Sequence, residues 1–323
     1  MTVGLATAGF AISLLCALIM GYAIQRGATC TVAAVSQLVD QGKWGRFVGL
    51  MEAALWVAGG LLLARALGFL PDLPAGQAVN SATFFGGILL GAGAYVNKAC
   101  VFGTVAKIGS RDWAYVATPI GFVAGAWVVS LLNSSRSSAP PELISKLLSL
   151  PELALAAFFL FAIWRIFKTV KSDGRSLVER IWAPHEATVV IGITFAIMFV
   201  AAGAWAYTDL LAELATGMPG DVLVRLLLLC ALFMGSIFAG STTVGALPFR
   251  FDPRGVVRTF TGGAAMGAGS LLIPGSNDGL ILVGMPLLYP YAWVGIATMC
   301  LTITAALGAE RLWAKLQINR RAA

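Results

Sequence analysis

The chain has 323 residues, of which 59% are hydrophobic and 11% charged, and its mean hydropathy is +0.85. Soluble domains carry about 25% charged residues, so this composition excludes a soluble globular domain and indicates an integral membrane protein. The net charge of +7 does not indicate nucleic-acid binding, because the basic residues are dispersed over short loops between apolar spans.

A membrane-crossing helix needs about 20 apolar residues, and the chain offers seven to nine such segments. Met1-Thr2-Val3-Gly4 lacks a basic leader, so the first apolar stretch, 3–24, is expected to persist as a helix. The stretch 25–34 is polar at its start and too short to cross, and reads as a re-entrant or interfacial piece. A span over 47–70 follows and carries Glu52, a carboxylate placed where it is costly. A Gly-rich segment, a short apolar piece after Cys100 and a span over 113–132 complete the first half.

The stretch 133–146 is rich in Ser and Pro and marks the boundary between halves. Spans are expected over 153–167, 188–207, 222–239 and 291–307, with a second Gly-rich helix over 256–273. The sole histidine, His185, sits beside Pro184 at the end of a basic loop and reads as structural. Cys16, Cys230 and Cys300 lie inside apolar spans and read as packing residues, while Cys30 and Cys100 each follow a polar, Gly-marked break. Disulfides are not expected in such a chain.

The Gly-rich segment occurs twice. Residues 83–103 and 259–279 match without a gap at 8 of 21 positions, against about two by chance. The alignment sets Cys100 opposite Ser276, and a weaker one sets Cys30 opposite Thr243. Gly-interrupted segments at corresponding places in two halves point to a transport site near mid-membrane. The same small residues also serve helix packing, which accounts for Gly87-x-x-x-Gly91 and Gly263-x-x-x-Gly267. Packing does not account for the polar runs that follow, Asn97-Lys98-Ala99-Cys100 and Ser276-Asn277-Asp278.

These features predict an all-α integral membrane protein with about nine crossing helices plus short re-entrant or broken helices. The layout is one polytopic domain: a first repeat half over 1–132, a connector with extra spans over 133–220, and a second half over 221–323. With the basic loop at 168–180 and the basic tail on the cytoplasmic side, and the acidic loop at 208–221 outside, the two halves are inverted.

The expected substrate path comprises Cys30, Asn97, Lys98, Cys100, Thr243, Ser276 and Asn277, and the groups for charge coupling are Arg26, Glu52 and Asp278. Lys98 also admits a role as a surface-reaching side chain or as the partner of Glu52. Asp278 admits roles as counter-ion, proton carrier or loop cap. No ATP-binding motif and no metal-ligand spacing occur, so no cofactor, metal or catalytic set is expected.

At Arg26-Gly27-Ala28-Thr29-Cys30, Gly91-Ala92-Gly93 and Cys100-Val101-Phe102-Gly103, the chain resembles the YeeE/YedE family of sulfur-compound transporters. The resemblance covers nearly the whole length. It implies a bacterial inner-membrane protein taking up thiosulfate or a related small sulfur-containing anion, handed along by cysteines on short broken helices. A small cytoplasmic sulfur-carrier protein is the partner it implies. Cys30 and Cys100 match two of the family's cysteines, and Ser276 stands where a third often occurs. The alternatives are a channel for a small solute and a membrane thiol protein relaying sulfur on Cys100.

Overall fold

The computed structural model describes residues 2–132, 138–139, 151–171, 177–217, 222–243 and 252–322. The connector over 133–146, apart from 138–139, and the residues that follow Thr243 up to 251 lie outside them. The chain is helical almost throughout. Among the described residues eight helices are long and apolar enough to cross a membrane, or nine if a pair bent by 51° is counted as one span.

The helices are α1 (Thr2–Gly27), α2 (Thr31–Gln41), α3 (Gly45–Ala66), α4 (Ser81–Asn97), α5 (Val101–Gly109) and α6 (Ala117–Leu131), the last preceded by a 3₁₀ turn at Trp113–Val116. They continue as α7 (Pro151–Lys171), α8 (Leu177–Ile181), α9 (Pro184–Ala202), α10 (Tyr207–Thr216), α11 (Val222–Thr243) and α12 (Pro253–Leu272). A single turn, α13 (Asn277–Gly279), runs on into a π turn at Leu280–Gly284, and α14 (Pro290–Ala322) closes the chain. Two short strands, Gly76–Gln77 and Ser138–Ala139, pair antiparallel and tie the α3–α4 loop to the segment after α6.

Local chemistry explains the breaks. α4 opens on a reciprocal cap: Thr83 N–H donates to Asn80 Oδ1 and Asn80 N–H donates to Thr83 Oγ1, both at 3.2 Å. It ends at Lys98 in the left-handed conformation (φ +60°), and the turn closes with Ala99 N–H donating to Ala94 O. α2 departs from the sequence expectation. It is not a re-entrant or interfacial piece of 25–34 but an 11-residue helix that continues α1 past a three-residue break, so that Ala8–Gln41 forms one long interrupted span. The helix can continue because Thr29 N–H donates to Ile24 O across the break and Thr29 Oγ1 is held by Thr188 Oγ1 of α9.

The two Gly-rich helices lie against each other at the centre. A Cβ at Gly93 would stand 2.7 Å from Gly262 O, and one at Gly262 would stand 2.8 Å from Gly93 O. Gly86 and Gly269 repeat the contact, at 2.8 and 2.7 Å from each other's carbonyls. No side chain fits at these four positions, and the register (86 with 269, 93 with 262) makes α4 and α12 antiparallel. The repeat alignment pairs Gly86 with Gly262 and Gly93 with Gly269, so the same contact is made once in each sense. On the flanks Gly87 and Gly91 of α4 meet the carbonyls of Gly295 and Met299 in α14, and Gly263 and Gly267 of α12 meet those of Thr118 and Phe122 in α6.

α7 is the most peripheral long helix, with exposed apolar residues such as Leu160, Ile163, Trp164 and Phe167. A charged cluster ties it to the body. Arg165 Nε donates to Glu52 Oε1 of α3 at 2.7 Å, and its Nη2 lies 3.3 Å from Glu186 Oε1 of α9. His185 Nε2 bonds the other Glu52 oxygen. His185 stands in the first turn of α9 rather than in the loop. Cys16 is buried and Cys300 partly so, but Cys230 is exposed, on a face of α11 turned outward.

Candidate functional site

Three breaks converge in the interior. Cys30, Cys100 and Ser276 each occupy the position just before a helix start, of α2, α5 and α13 respectively, in extended backbone conformation. Cys100 and Ser276 are fully buried, and Cys30 is nearly so.

Cys100 and Cys30 are interlocked through backbone and sulfur. Thr31 N–H, the first of α2, donates to Cys100 Sγ at 3.1 Å, and Cys100 N–H donates to Cys30 Sγ at 3.4 Å. Both thiols are free. Two helix starts therefore face each other around two sulfur atoms, and the unpaired N–H groups of such starts favour negative charge between them. Gly103 permits this approach, since a Cβ there would stand 2.7 Å from Cys30 Sγ.

The third break joins at the next residue. Val101 N–H donates to Asn277 Oδ1 at 3.4 Å, and Asn277 Nδ2 donates to Thr31 Oγ1 at 3.3 Å. Val101 and Asn277 are equivalent positions in the repeat. Asn97 braces the first-half break: its Nδ2 donates to Ala99 O (2.8 Å) and Thr104 Oγ1 (3.1 Å), and its Oδ1 accepts from Thr118 Oγ1 (3.0 Å). Buried polar groups must be paired in this way. Ser276 Oγ is not paired: it is buried and has no hydrogen-bond partner among the described residues, as is also true of Glu213 Oε2 nearby.

Ser276 also lines a cavity of about 280 Å³. Its wall includes Thr208, Asp209 and Glu213 of α10, Arg225 of α11, Gly275 and Gly279 at the break, and Tyr291 of α14. Residues of the 203–217 segment and Ser276 line the cavity, while the buried Cys30 and Cys100 are not among its lining residues.

The expected residues are distributed as follows. Cys30, Cys100, Asn97, Ser276 and Asn277 come together. Asp278 is buried beside them, accepting from Thr208 Oγ1 at 2.6 Å. Its partner is thus not Lys98. Lys98 is exposed and its side chain makes no hydrogen bond or ion pair among the described residues, and Arg26 is partly exposed. Glu52 belongs to the α7 cluster, paired with Arg165 and His185, and does not join the thiols. The side chain of Thr243 lies outside the described residues.

Sequence reasoning passed over Thr31, Thr104, Thr118 and Tyr207, whose hydroxyl donates to Val101 O at 2.8 Å. Thr31 and Thr104 carried a signal, being polar residues within one turn of a break cysteine, but Thr118 and Tyr207 are distant in sequence and carried none.

No group of three or more His, Cys, Asp or Glu side chains fit to hold a metal ion occurs among the described residues. No curated protein matches the chain. Residues 26–305, which include every break residue described above, match the family described as sulphur transport. With most of its length matched, the chain belongs to the YeeE/YedE sulphur transport family, and its role is the transport of a sulfur compound across a membrane.

Proposed function

We propose that the protein takes up a small sulfur-containing anion, thiosulfate fitting best, across the bacterial inner membrane along a path through Ser276, Asn277, Cys100 and Cys30. The observation that carries this is the meeting of two buried thiols, at facing helix starts, with a third break that bears an unpartnered hydroxyl. A thiol contacts sulfur softly and a hydroxyl donates to oxygen, and thiosulfate presents sulfur at one end and oxygen at the other. Asn97 holds the break rather than touching the ion.

Uptake by cells lacking their own sulfur importers, compared across thiosulfate, sulfite, sulfate and cysteine, tests the reading. Thiosulfate is expected to enter fastest, with sulfate near background. Preference for sulfate or cysteine would overturn it. A small cytoplasmic sulfur-carrier protein would accept the product on the inner face.

The orientation belongs to the same proposal. If the bent pair counts as one of nine crossings, Lys43, Arg46, Lys107, Arg111, Lys168, Lys171, Arg254 and Arg311 fall on one face, and Asp72, Asp209 and Glu213, with Arg65 and Arg225, on the other. The basic face is then cytoplasmic, and halves 1–132 and 221–323 are inverted about the antiparallel pair α4 and α12, with 133–220 as connector. A reporter active only in the cytoplasm is expected to work after Ala323 or within 171–175 and to fail within 208–219. A signal from the acidic segment would reverse the assignment.

A further inference from the structure

Two cavities lie between the peripheral α7 and its neighbours. The first, of about 430 Å³, is walled by Glu52 of α3, Arg165 and Lys168 of α7, and His185 and Glu186 of α9. The second, of about 470 Å³, has apolar walls throughout, among them Ala58 and Leu62 of α3, Ala157 of α7, and Met285 and Trp293. Met51, Leu55 and Phe161 line both. The two are therefore one groove, polar at one end and apolar along the rest. Leu55, Trp164 and Trp293 on its walls are exposed, so the groove opens sideways toward the bilayer.

The polar end lies where helices begin and end, at headgroup depth. Lys168 stands in the last turn of α7 and His185 in the first turn of α9. From Glu52 to Leu62 the groove follows α3 for about 15 Å, the thickness of one hydrocarbon leaflet. The carboxylates at the polar end are already matched, since Arg165 bridges Glu52 and Glu186 and His185 bonds Glu52. Lys168 is not. It forms no ion pair among the described residues, and its Nζ rests 5.2 Å from the centre of the Trp164 ring. One turn on, Lys171 Nζ stands 5.4 Å over the Phe167 ring, also without an ion pair there. Arg175 and Arg180 follow in sequence, giving four basic against two acidic residues within 168–180. A basic cluster beside a crossing helix attracts anionic lipid.

We propose that this groove holds one anionic phospholipid, with its phosphate at Lys168 and one acyl chain lying between α3 and α7 toward Met285 and Trp293. Lys168 offers a point charge that a phosphodiester can approach without displacing an existing ion pair. The acyl chain covers apolar walls that α7 leaves open. α7 reaches α3 through Phe158, which packs over Gly59 and against Trp56, and through the Arg165 cluster. Bound beside these two contacts, the lipid ties α7 to the body. A zwitterionic lipid brings the same chains without the net charge, so selectivity rests on the headgroup. The site is independent of what the chain transports, and its assignment to the cytoplasmic leaflet follows from the orientation proposed above.

The test titrates the delipidated full-length protein in detergent with dioleoyl-phosphatidylglycerol, with phosphatidylcholine of the same chains, and with inorganic phosphate. Native mass spectrometry counts bound lipid, and intrinsic fluorescence follows the thermal midpoint. One phosphatidylglycerol is expected to bind about fivefold more tightly than phosphatidylcholine and to raise the midpoint, while inorganic phosphate does neither. Lys168→Gln changes an exposed side chain and breaks no ion pair, so the variant is expected to fold normally and to lose that preference. Ala58→Trp fills the apolar part of the groove and is expected to exclude both lipids. Ala157→Trp, on the facing wall, serves the same purpose if Ala58→Trp fails to fold. Equal binding of the two lipids by the unaltered protein would overturn the anionic site. So would a preference that survives Lys168→Gln, or tight binding that survives filling of the groove. A midpoint raised equally by inorganic phosphate would show a free-anion site and overturn the lipid.

Discussion

Replacing Cys100 with serine is expected to cut thiosulfate uptake by at least about tenfold, equivalent to about 1.4 kcal/mol, at matched amounts of protein in the membrane. The substitution removes one sulfur and little else. Serine at the start of α5 can still accept the Thr31 N–H that Cys100 Sγ now takes at 3.1 Å, and hydroxyls are well suited to that position. Folding should therefore survive, and the Cys100→Ser variant should appear in the membrane normally. What is lost is the soft contact to a sulfur atom. Cys100→Ala, which also leaves Thr31 N–H without its partner, is expected to stop uptake as well. Cys30 Sγ accepts the Cys100 N–H, so the loss in Cys30→Ala is expected to approach that in Cys100→Ala. Wild-type uptake by Cys100→Ser would remove the thiol from the mechanism.

Arg165→Met is expected to destabilise the protein by about 3–5 kcal/mol, because it strands Glu52 as a buried, under-compensated charge. Glu52 is 8% exposed. After the substitution it would keep only His185 and the Trp56 Nε1–H, at 3.3 Å, as partners. Since α7 otherwise touches the body mainly through side chains such as Phe158 against Trp56, it should loosen first. A lower thermal midpoint in detergent and less folded protein in the membrane would report this. The double variant Arg165→Met/Glu52→Gln removes both charges and is expected to recover most of the loss, a coupling that only a direct pair produces. A single variant as stable as the parent would show that α7 is held by other means.

Much of the architecture was legible because it follows from properties that are local along the chain. Long apolar runs dictate helices that cross a membrane, and the Gly-rich repeats mark where helices approach closely. The capped start of α4 at Asn80 and Thr83, the break at Asn97–Cys100 and the second break before Ser276 are likewise written in adjacent residues. The positions of Cys30, Cys100, Ser276 and Asn277 as break residues could be read off the repeat. α2 was misjudged because its apolar stripe is short, and the bonds that carry α1 on into it, Thr29 N–H to Ile24 O and Thr29 to Thr188, together with packing against α3 and α14, are tertiary or cross-break contacts.

What the sequence by itself determined, then, is a helical membrane protein with two Gly-rich repeats, each leading into a polar break. Tertiary structure alone decided which breaks meet. That the N–H of Thr31 reaches Cys100, 69 residues away, and that Asn277 reaches Thr31 across 246 residues, depends on α4 and α12 closing to backbone contact at Gly86, Gly93, Gly262 and Gly269. It also decided that Glu52 is matched by Arg165 and His185 rather than Lys98, and that Asp278 lies beside Thr208 and Asp209. A buried charge or hydroxyl takes whichever partner the packing brings within hydrogen-bond reach, and spacing along the chain carries no record of that choice.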